Sequence, residues 1–409
     1  MPNGTAQGAE RVVMRLWGIT GTNGKTTTTW IAAEFMNACE GRRAGHITTV
    51  EVFDGARRFY TGYTTPPLAK LKDIYASMEA NGCTDCVMEV SSHAIHQNRV
   101  GFGEVSTFSG GAFTNLSEDH LDYHKTMDEY FRVKLSFAER IAECGLRARG
   151  WEGGVPASAG RRDFPVYVVC TDGGYGENML AACGRLPLNV IPVSCKTPRY
   201  DLSELKLAGD YNRSNVLVAA AIAEAAGVPR DVVQKTIPKL EPRWGRLERI
   251  DNPMVKAEVY VDFAHTPDGL EKVLAAVRGE MKRRGMTGSL WVVFGAGGDR
   301  DPMKRPLMGS ACARGADRLV VTSDNPRSES PMSIISQILA GIEGENGAVM
   351  VEPDRAKAIA YAIGSAGVGD VVVIAGKGHE TTQEIAGVKH PFDDRDVVRR
   401  FRSDMIKWA

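Results

Sequence analysis

The chain has 409 residues, with 50 basic and 50 acidic side chains, 43% hydrophobic residues and eight scattered cysteines. That length suits two or three ordinary domains, while the charge balance argues against a bulk electrostatic grip on nucleic acid or membranes, so neither is expected as a partner. No apolar run reaches the roughly 20 residues of a membrane span, the first ten residues have no signal core, and no dense disulfide framework is present, so a cytoplasmic address with reduced thiols is expected.

The apolar run Val12 to Ile19 predicts a strand that breaks into Thr20-Gly21-Thr22-Asn23-Gly24, and Lys25-Thr26-Thr27 then opens an apolar-periodic helix. Strand, glycine-rich turn and helix in this order make a phosphate loop. Gly21 and Gly24 allow close backbone approach, the helix N-terminus favours negative charge, Lys25 reaches the terminal phosphates and a threonine hydroxyl can hold Mg²⁺. Ile19 stands where strict Walker spacing has glycine, so the loop is a shortened variant.

Further along, Gly45–Val50 predicts a strand, Thr61–Pro67 a polar loop and Leu68–Met78 a helix. Cys83-Thr-Asp-Cys86 has the spacing of a redox or zinc pair. No second pair follows at finger spacing, and the residues lead into an apolar strand, which favours a core role. That strand, Cys86–Val90, carries Glu89 near its C-terminal end. In a doubly wound sheet this end borders the ligand crevice, so Glu89 would face the phosphates and their metal; a carboxylate simply facing water has the same pattern. Another strand, Gly111–Asn115, opens into Leu116–His124, where Glu118, Asp119, His120, Asp122 and His124 fit a cation site or a solvated loop equally well. The helix Met127–Ala142 carries Lys134, by spacing alone a surface charge. Gly145–Asp163 reads as a loop. Strands at Val166–Val169 and Val190–Val193 follow, then a loop from Leu205 to Asn215, a helix Val216–Ala226, and Pro238–Pro242 closing a first domain of residues 1–240.

Residues 241–409 form a second domain. Strand-like Val255–Phe263 runs into Asp262-Phe-Ala-His265-Thr-Pro-Asp268 and a helix Leu270–Arg278. Leu290–Phe294, Leu319–Thr322 and Asp370–Ile374 deliver Gly295–Asp301, Ser323–Arg327 and Ala375–Glu380 at the same end. The expected fold class is therefore α/β: a mostly parallel P-loop ATPase domain followed by a Rossmann-like α/β domain, with a crevice rich in Asp, Asn, Arg, His and Glu.

Taken together, Thr20–Thr27, Thr64-Thr65-Pro66, Met88–His93, Thr114–His124, Tyr130-x-x-x-Lys134, Asp262–Asp268, Gly297–Asp301, Lys304-Arg-Pro306, Asp324-Asn-Pro-Arg327 and Gly376–Glu380 resemble the Mur ligase family, most closely its MurE type, over nearly the whole chain. The resemblance implies an ATP-dependent amide ligase that works through an acyl phosphate, with Lys25, Glu89, His120 and Lys134 as catalytic residues. It implies Mg²⁺ held by Thr26, Glu89, His120 and a CO₂-derived carbamate on Lys134. It places ATP on Gly21–Thr27, Asn212, Asn215, Arg246, Asp262 and His265, the acceptor on Thr64, Thr65, Ser91, Gln97 and Arg99, and the incoming amino acid on Arg300, Asp324, Asn325, Arg327, Gly376 and Glu380. Asp-Asn-Pro-Arg goes with meso-diaminopimelate, because Arg327 can clamp its distal carboxylate with paired hydrogen bonds and lysine lacks that group.

Family members carry a further N-terminal domain that grips uridine diphosphate, whereas only about a dozen residues precede the first predicted strand here. The expectation is a ligase, monomeric and acting on small molecules, that adds its amino acid to a muramoyl-dipeptide-like or other carboxylate acceptor. Either the sequence is a piece of a longer enzyme, or it is a naturally short ligase whose acceptor lacks the nucleotide handle, such as a free muramoyl peptide or a specialised-metabolite precursor. A separate protein supplying acceptor binding, a non-catalytic Mur-like subunit and a folate-type glutamate ligase are the alternatives. The last does not explain Asp-Asn-Pro-Arg. Cys170–Gly176 departs from the family's usual Asn-Ala-Asp-Asp.

Overall fold

The computed structural model describes residues 14–151, 153–156, 158–342 and 348–402. The expectations for residues 1–13, including the start of the first strand at Val12, lie outside the described residues.

Among the described residues eight strands make the first sheet: β1 (Arg15–Thr20), β2 (Ala44–Ile47), β3 (Val52–Phe53), β4 (Arg58–Phe59), β5 (Asp85–Glu89), β6 (Phe108–Phe113), β7 (Val166–Cys170) and β8 (Asn189–Val193), in the order 4-3-2-5-1-6-7-8. All pairs from β2 to β8 are parallel, and only the edge pairs β2–β3 and β3–β4 are antiparallel. The second sheet contains β9 (Glu248–Arg249), β10 (Glu258–Asp262), β11 (Leu290–Phe294), β12 (Arg318–Val321), β13 (Ala348–Val351) and β14 (Val371–Ala375), in the order 13-12-11-14-10-9, parallel except for β9. A hairpin of β15 (Thr382–Ile385) and β16 (Val388–Pro391) follows.

Side-chain alternation along the strands divides each domain's core between two faces. Trp17, Ile19, Val87 and Val168 point to one face of the first sheet and pack with Trp30 and Phe35 of the helix Lys25–Asn37 and Ile222 of the helix Asp210–Ala225. Leu16, Met88, Phe113 and Val169 point the other way, onto Leu71, Phe137 and Ile141. In the second sheet Val292, Phe294 and Val373 meet Leu270 and Met308, while Val293, Val320 and Val372 meet Ile359 and Val398.

Several expected boundaries move, three of them for a visible physical reason. The helix expected over Met127–Ala142 runs to Ala148, into the stretch read as a loop, because its buried stripe continues through Cys144 and Gly145. Gly145 is there for closeness rather than as a breaker: a Cβ would lie 2.1 Å from Pro165 Cγ. The helix expected from Val216 starts at Asp210, with Gly209 at its cap position at φ 90° and an acidic residue in the favourable first turn. Finally, the strand expected through Val50 ends at Ile47, where the Thr48 hydroxyl binds the backbone of Glu51 and turns the chain. Cys83 and Cys86 are buried, and burial pushes both thiols up, in keeping with a core role.

Candidate active site

Loops after β1, β5 and β6 of the first sheet and after β10, β11, β12 and β14 of the second line one cavity of about 420 Å³. Direct contacts hold the two sets of loops together. Asp268 accepts from the Asn23 amide at 3.0 Å and the Ser117 hydroxyl at 3.1 Å, Arg246 donates to the Thr26 hydroxyl at 3.2 Å, and Lys304 lies 3.9 Å from Asp119.

The phosphate loop owes its shape to two glycines in contact with their surroundings. Gly21 has φ 151°, and a Cβ there would meet Thr114 Oγ1 at 1.9 Å; Gly24 has φ 84°, and its Cβ would meet Asn215 Oδ1 at 2.3 Å. Because Gly24 caps the Lys25–Asn37 helix without a side-chain acceptor, the first-turn N–H groups are left for a ligand oxygen. Gly24→Ala is expected to cost about 1–2 kcal/mol of stability, the penalty of a side chain in left-handed backbone, and to raise the KM for ATP. A melting curve and an ATP titration check both.

Two lysines meet behind this loop. Lys25 Nζ donates to the carbonyls of Gly21 at 2.9 Å and Thr22 at 2.8 Å, and Lys134 Nζ donates to the same Gly21 carbonyl at 2.9 Å. Lys134 is buried, against the expectation from helix spacing, and stands 4.6 Å over the Tyr130 ring. Burial, reinforced by the charge of Lys25, pushes its amine well below the usual lysine range. Lys25 is also lowered, by burial first, with Glu89 and Asp119 opposing.

Glu89, buried at the end of β5, accepts from the Thr49 N–H at 2.8 Å and the Thr49 hydroxyl at 3.3 Å. His120 sits at φ 56° and is paired with Asp119 at 3.4 Å. Burial lowers the His120 ring to about 4, so near neutral pH it keeps a lone pair for a metal. Asp119 would be raised by burial, yet His120, Lys304, His265 and Lys25 pull it down to about 2. Of the cation cluster suggested by Glu118–His124, the described side chains do not converge on one point. His124 turns inward to Ser92 and stacks on Tyr130, and the described residues contain no group of three His, Cys, Asp or Glu able to hold a metal. The Thr26 hydroxyl and the Glu89 carboxylate are oxygen donors of the kind Mg²⁺ takes, the cation drawing most of its shell from phosphate and water, and the His120 imidazole lines the same cavity. Burial favours the neutral amine at Lys134, and a neutral amine is the form able to add to CO₂.

From the second domain, Asp262 accepts from the N–H groups of Leu247 and Ala264, each at 2.7 Å, and burial raises its carboxyl. Arg246 stacks 4.6 Å from the Phe263 ring centroid, and His265 is tied to the Phe263 carbonyl at 2.8 Å. Asn212 and Asn215, in the first turns of the Asp210–Ala225 helix, join one another at 3.3 Å beside Gly24. Arg300, Asp324, Asn325, Arg327, Gly376 and Glu380 all line the cavity, with Arg327 anchored at 2.6 Å to the Gly298 carbonyl and 3.6 Å from Glu384.

The residues expected at the acceptor divide. Thr64 lines the cavity and meets Thr49 at 3.0 Å. Thr65 and Ser91 stand behind it, bonded to one another, and Thr65 holds the Glu89 carbonyl at 2.9 Å. Gln97 and Arg99 lie at the surface, joined at 2.7 Å outside the cavity. Sequence reasoning missed Thr49, which was read as strand, named Asp119 only within the candidate cation cluster, and gave no site role to Lys304, although it lies in a stretch that was singled out. In the divergent Cys170–Gly176 stretch, Asp172 accepts from Ser194 and Ser214, each at 2.5 Å, and from the Cys195 N–H at 2.8 Å.

Residues 19–148 match the family model described as the Mur ligase middle domain, and residues 245–378 the model described as Mur ligase, glutamate ligase domain. The chain is 40% identical over 392 residues to the UDP-N-acetylmuramoyl-L-alanyl-D-glutamate–2,6-diaminopimelate ligase of Geobacillus kaustophilus, covering 94% of this chain and 78% of that protein. It is 39% identical over 396 residues to the enzyme of the same name from Neisseria meningitidis, covering 94% and 77%. A solved structure of a ligase of that name shares 31% identity with a TM-score of 0.57, covering 94% of this chain and 77% of that one. Mycobacterium tuberculosis folylpolyglutamate synthase complexed with ADP, at 18% identity, shares the fold, with a TM-score of 0.60 over 90% of this chain and 88% of that one.

Proposed function

The chain belongs to the Mur ligase family, and from that premise we propose that its cavity joins meso-diaminopimelate to the D-glutamyl carboxylate of a UDP-muramoyl dipeptide. The enzyme is an ATP-dependent ligase. One observation carries the finer reading: the phosphate loop and the Arg, Asn and Glu wall of the second domain line the same cavity, so a phosphoryl donor and an amino acid can meet there. The names of the relatives support both substrates.

In this reading ATP lies on Gly21–Thr27, with Asn212, Asn215, Arg246, Asp262 and His265 around the rest of the nucleotide. Lys25 leaves the Gly21 and Thr22 carbonyls to neutralise the terminal phosphates. The acceptor carboxylate, near Thr64, attacks the γ-phosphorus and releases ADP. The amino acid's neutral amine then attacks the acyl carbon, phosphate leaves, and an amide forms. Thr26, Glu89, His120 and a carbamate on Lys134 would hold Mg²⁺, which when bound would supply charge neutralisation for phosphoryl transfer. To make that carbamate, the neutral Lys134 amine adds to CO₂ and loses a proton, turning a buried amine into an anion. The contacts of Asp268, Arg246 and Lys304 hold the two sets of loops together across the cavity, an arrangement that would limit the access of water to the hydrolysable acyl phosphate.

Arg327 pairs with the distal carboxylate of diaminopimelate and Glu380 with its distal ammonium. ATP consumption with diaminopimelate and with lysine, each given the same acceptor, tests the choice. Diaminopimelate is expected to be preferred, and a lysine preference overturns it.

A further inference from the structure

Lys377 follows β14 and is fully buried, outside the cavity that its neighbours Gly376 and Glu380 line. Its ammonium donates to Glu380 Oε2 at 2.8 Å and to Asn325 Oδ1 at 3.1 Å. The Asn325 amide donates to the same Glu380 Oε2 at 2.9 Å, while Asn325 Oδ1 also accepts from the Glu384 N–H at 3.0 Å. Two residues of the amino-acid wall are thus locked to each other through a lysine that solvent does not reach.

A buried ammonium costs several kcal/mol unless it is paired and hydrogen-bonded, so this lysine is held by what it organises. Both donors converge on Oε2, which leaves Oε1 for a ligand. The loop around Lys377 permits this burial. Gly376 has φ 117° with a Cβ position 2.5 Å from Asp324 Oδ2, and Gly378 has φ 51° with one 2.7 Å from Phe263 Cβ, so the backbone lies against both neighbouring loops.

We propose that Lys377 is a positioning residue for amine recognition: it fixes the rotamer of Glu380 so that one carboxylate oxygen meets the distal ammonium of the incoming diamino acid. The proposal rests on the reading of Glu380 as the ammonium acceptor. Lys377 itself touches no substrate. Its loss weakens selection for a distal ammonium without acting on phosphoryl transfer.

The test compares diaminopimelate with 2-aminopimelate, which keeps the distal carboxylate and lacks the distal amine, using the full chain with ATP and one fixed acceptor. Wild type is expected to favour diaminopimelate in kcat/KM by at least about tenfold. In Lys377→Met that preference shrinks by about tenfold through the KM for diaminopimelate, with the KM for ATP and the rate with 2-aminopimelate unchanged. Lys377→Gln, which can still donate to Glu380, recovers part of it and serves if the Met variant does not fold. If wild type shows no preference, the reading of Glu380 fails. If wild type shows the preference and the folded variants keep it in full, or lose rate equally with both amines, Lys377 has no positioning role.

Discussion

Replacing Lys134 with alanine is expected to lower kcat by at least about 10²–10³-fold, the size of effect seen when a preorganised electrostatic group is removed from a transition state. The helix spacing alone describes a surface lysine, but the side chain is buried inside the protein and donates to the carbonyl of Gly21 in the phosphate loop. As an ammonium it would stand beside the Lys25 charge and repel it. As a carbamate it would attract Lys25 and complete a metal site otherwise limited to one hydroxyl, one carboxylate and one imidazole. The wild-type enzyme is therefore expected to lose activity in CO₂-depleted buffer and regain it with bicarbonate, whereas the alanine variant does not respond to bicarbonate. A thermal melt shows that the variant is folded. Robust turnover by folded Lys134→Ala sinks this assignment.

The second large effect is on selectivity. Arg327→Ala should reduce kcat/KM for diaminopimelate by about ten- to a hundredfold, corresponding to the roughly 1.5–3 kcal/mol of hydrogen bonds made to a charged group. The slow reaction with lysine, which has no distal carboxylate, should change little. Arg327 is well placed for this role. Its backbone is in the left-handed region at φ 51°, and its guanidinium is braced by the Gly298 carbonyl and Glu384, so little side-chain freedom remains to be lost on binding. Steady-state rates with both amines decide the point. Equal losses with diaminopimelate and lysine would mean that Arg327 supports the loop without reading the distal carboxylate.

Much of this was legible in the residues because the chemistry sits on short strand-to-loop units. Strand Leu290–Phe294 was predicted with its observed bounds, and Thr20–Thr27 announced its phosphate loop through two glycines and a lysine. What stayed hidden depends on packing between distant segments. Lys134 was named through the family resemblance alone, because nothing near it in the sequence shows that its helix lies under the phosphate loop, and a lysine among Tyr130 and Phe137 reads equally well as a boundary charge. Thr49 escaped because its role, holding the Glu89 carboxylate, joins positions 40 residues apart. Gly145 misled for a local reason: glycine marks both a break and a close approach, and only the position of Pro165 decides between them. The surface location of Gln97 and Arg99 likewise follows from the turn after the short helix Ser92–His96, which the sequence pattern did not define.

The most direct test is to incubate the purified chain with ATP, Mg²⁺, diaminopimelate and an acceptor carrying a D-glutamyl carboxylate, given with and without its UDP-sugar, and to identify the products by mass. The expected result is one ADP and one phosphate for each amide formed, with diaminopimelate attached to the UDP-muramoyl dipeptide. ADP formation without any amide product, or no turnover with either acceptor, would contradict it.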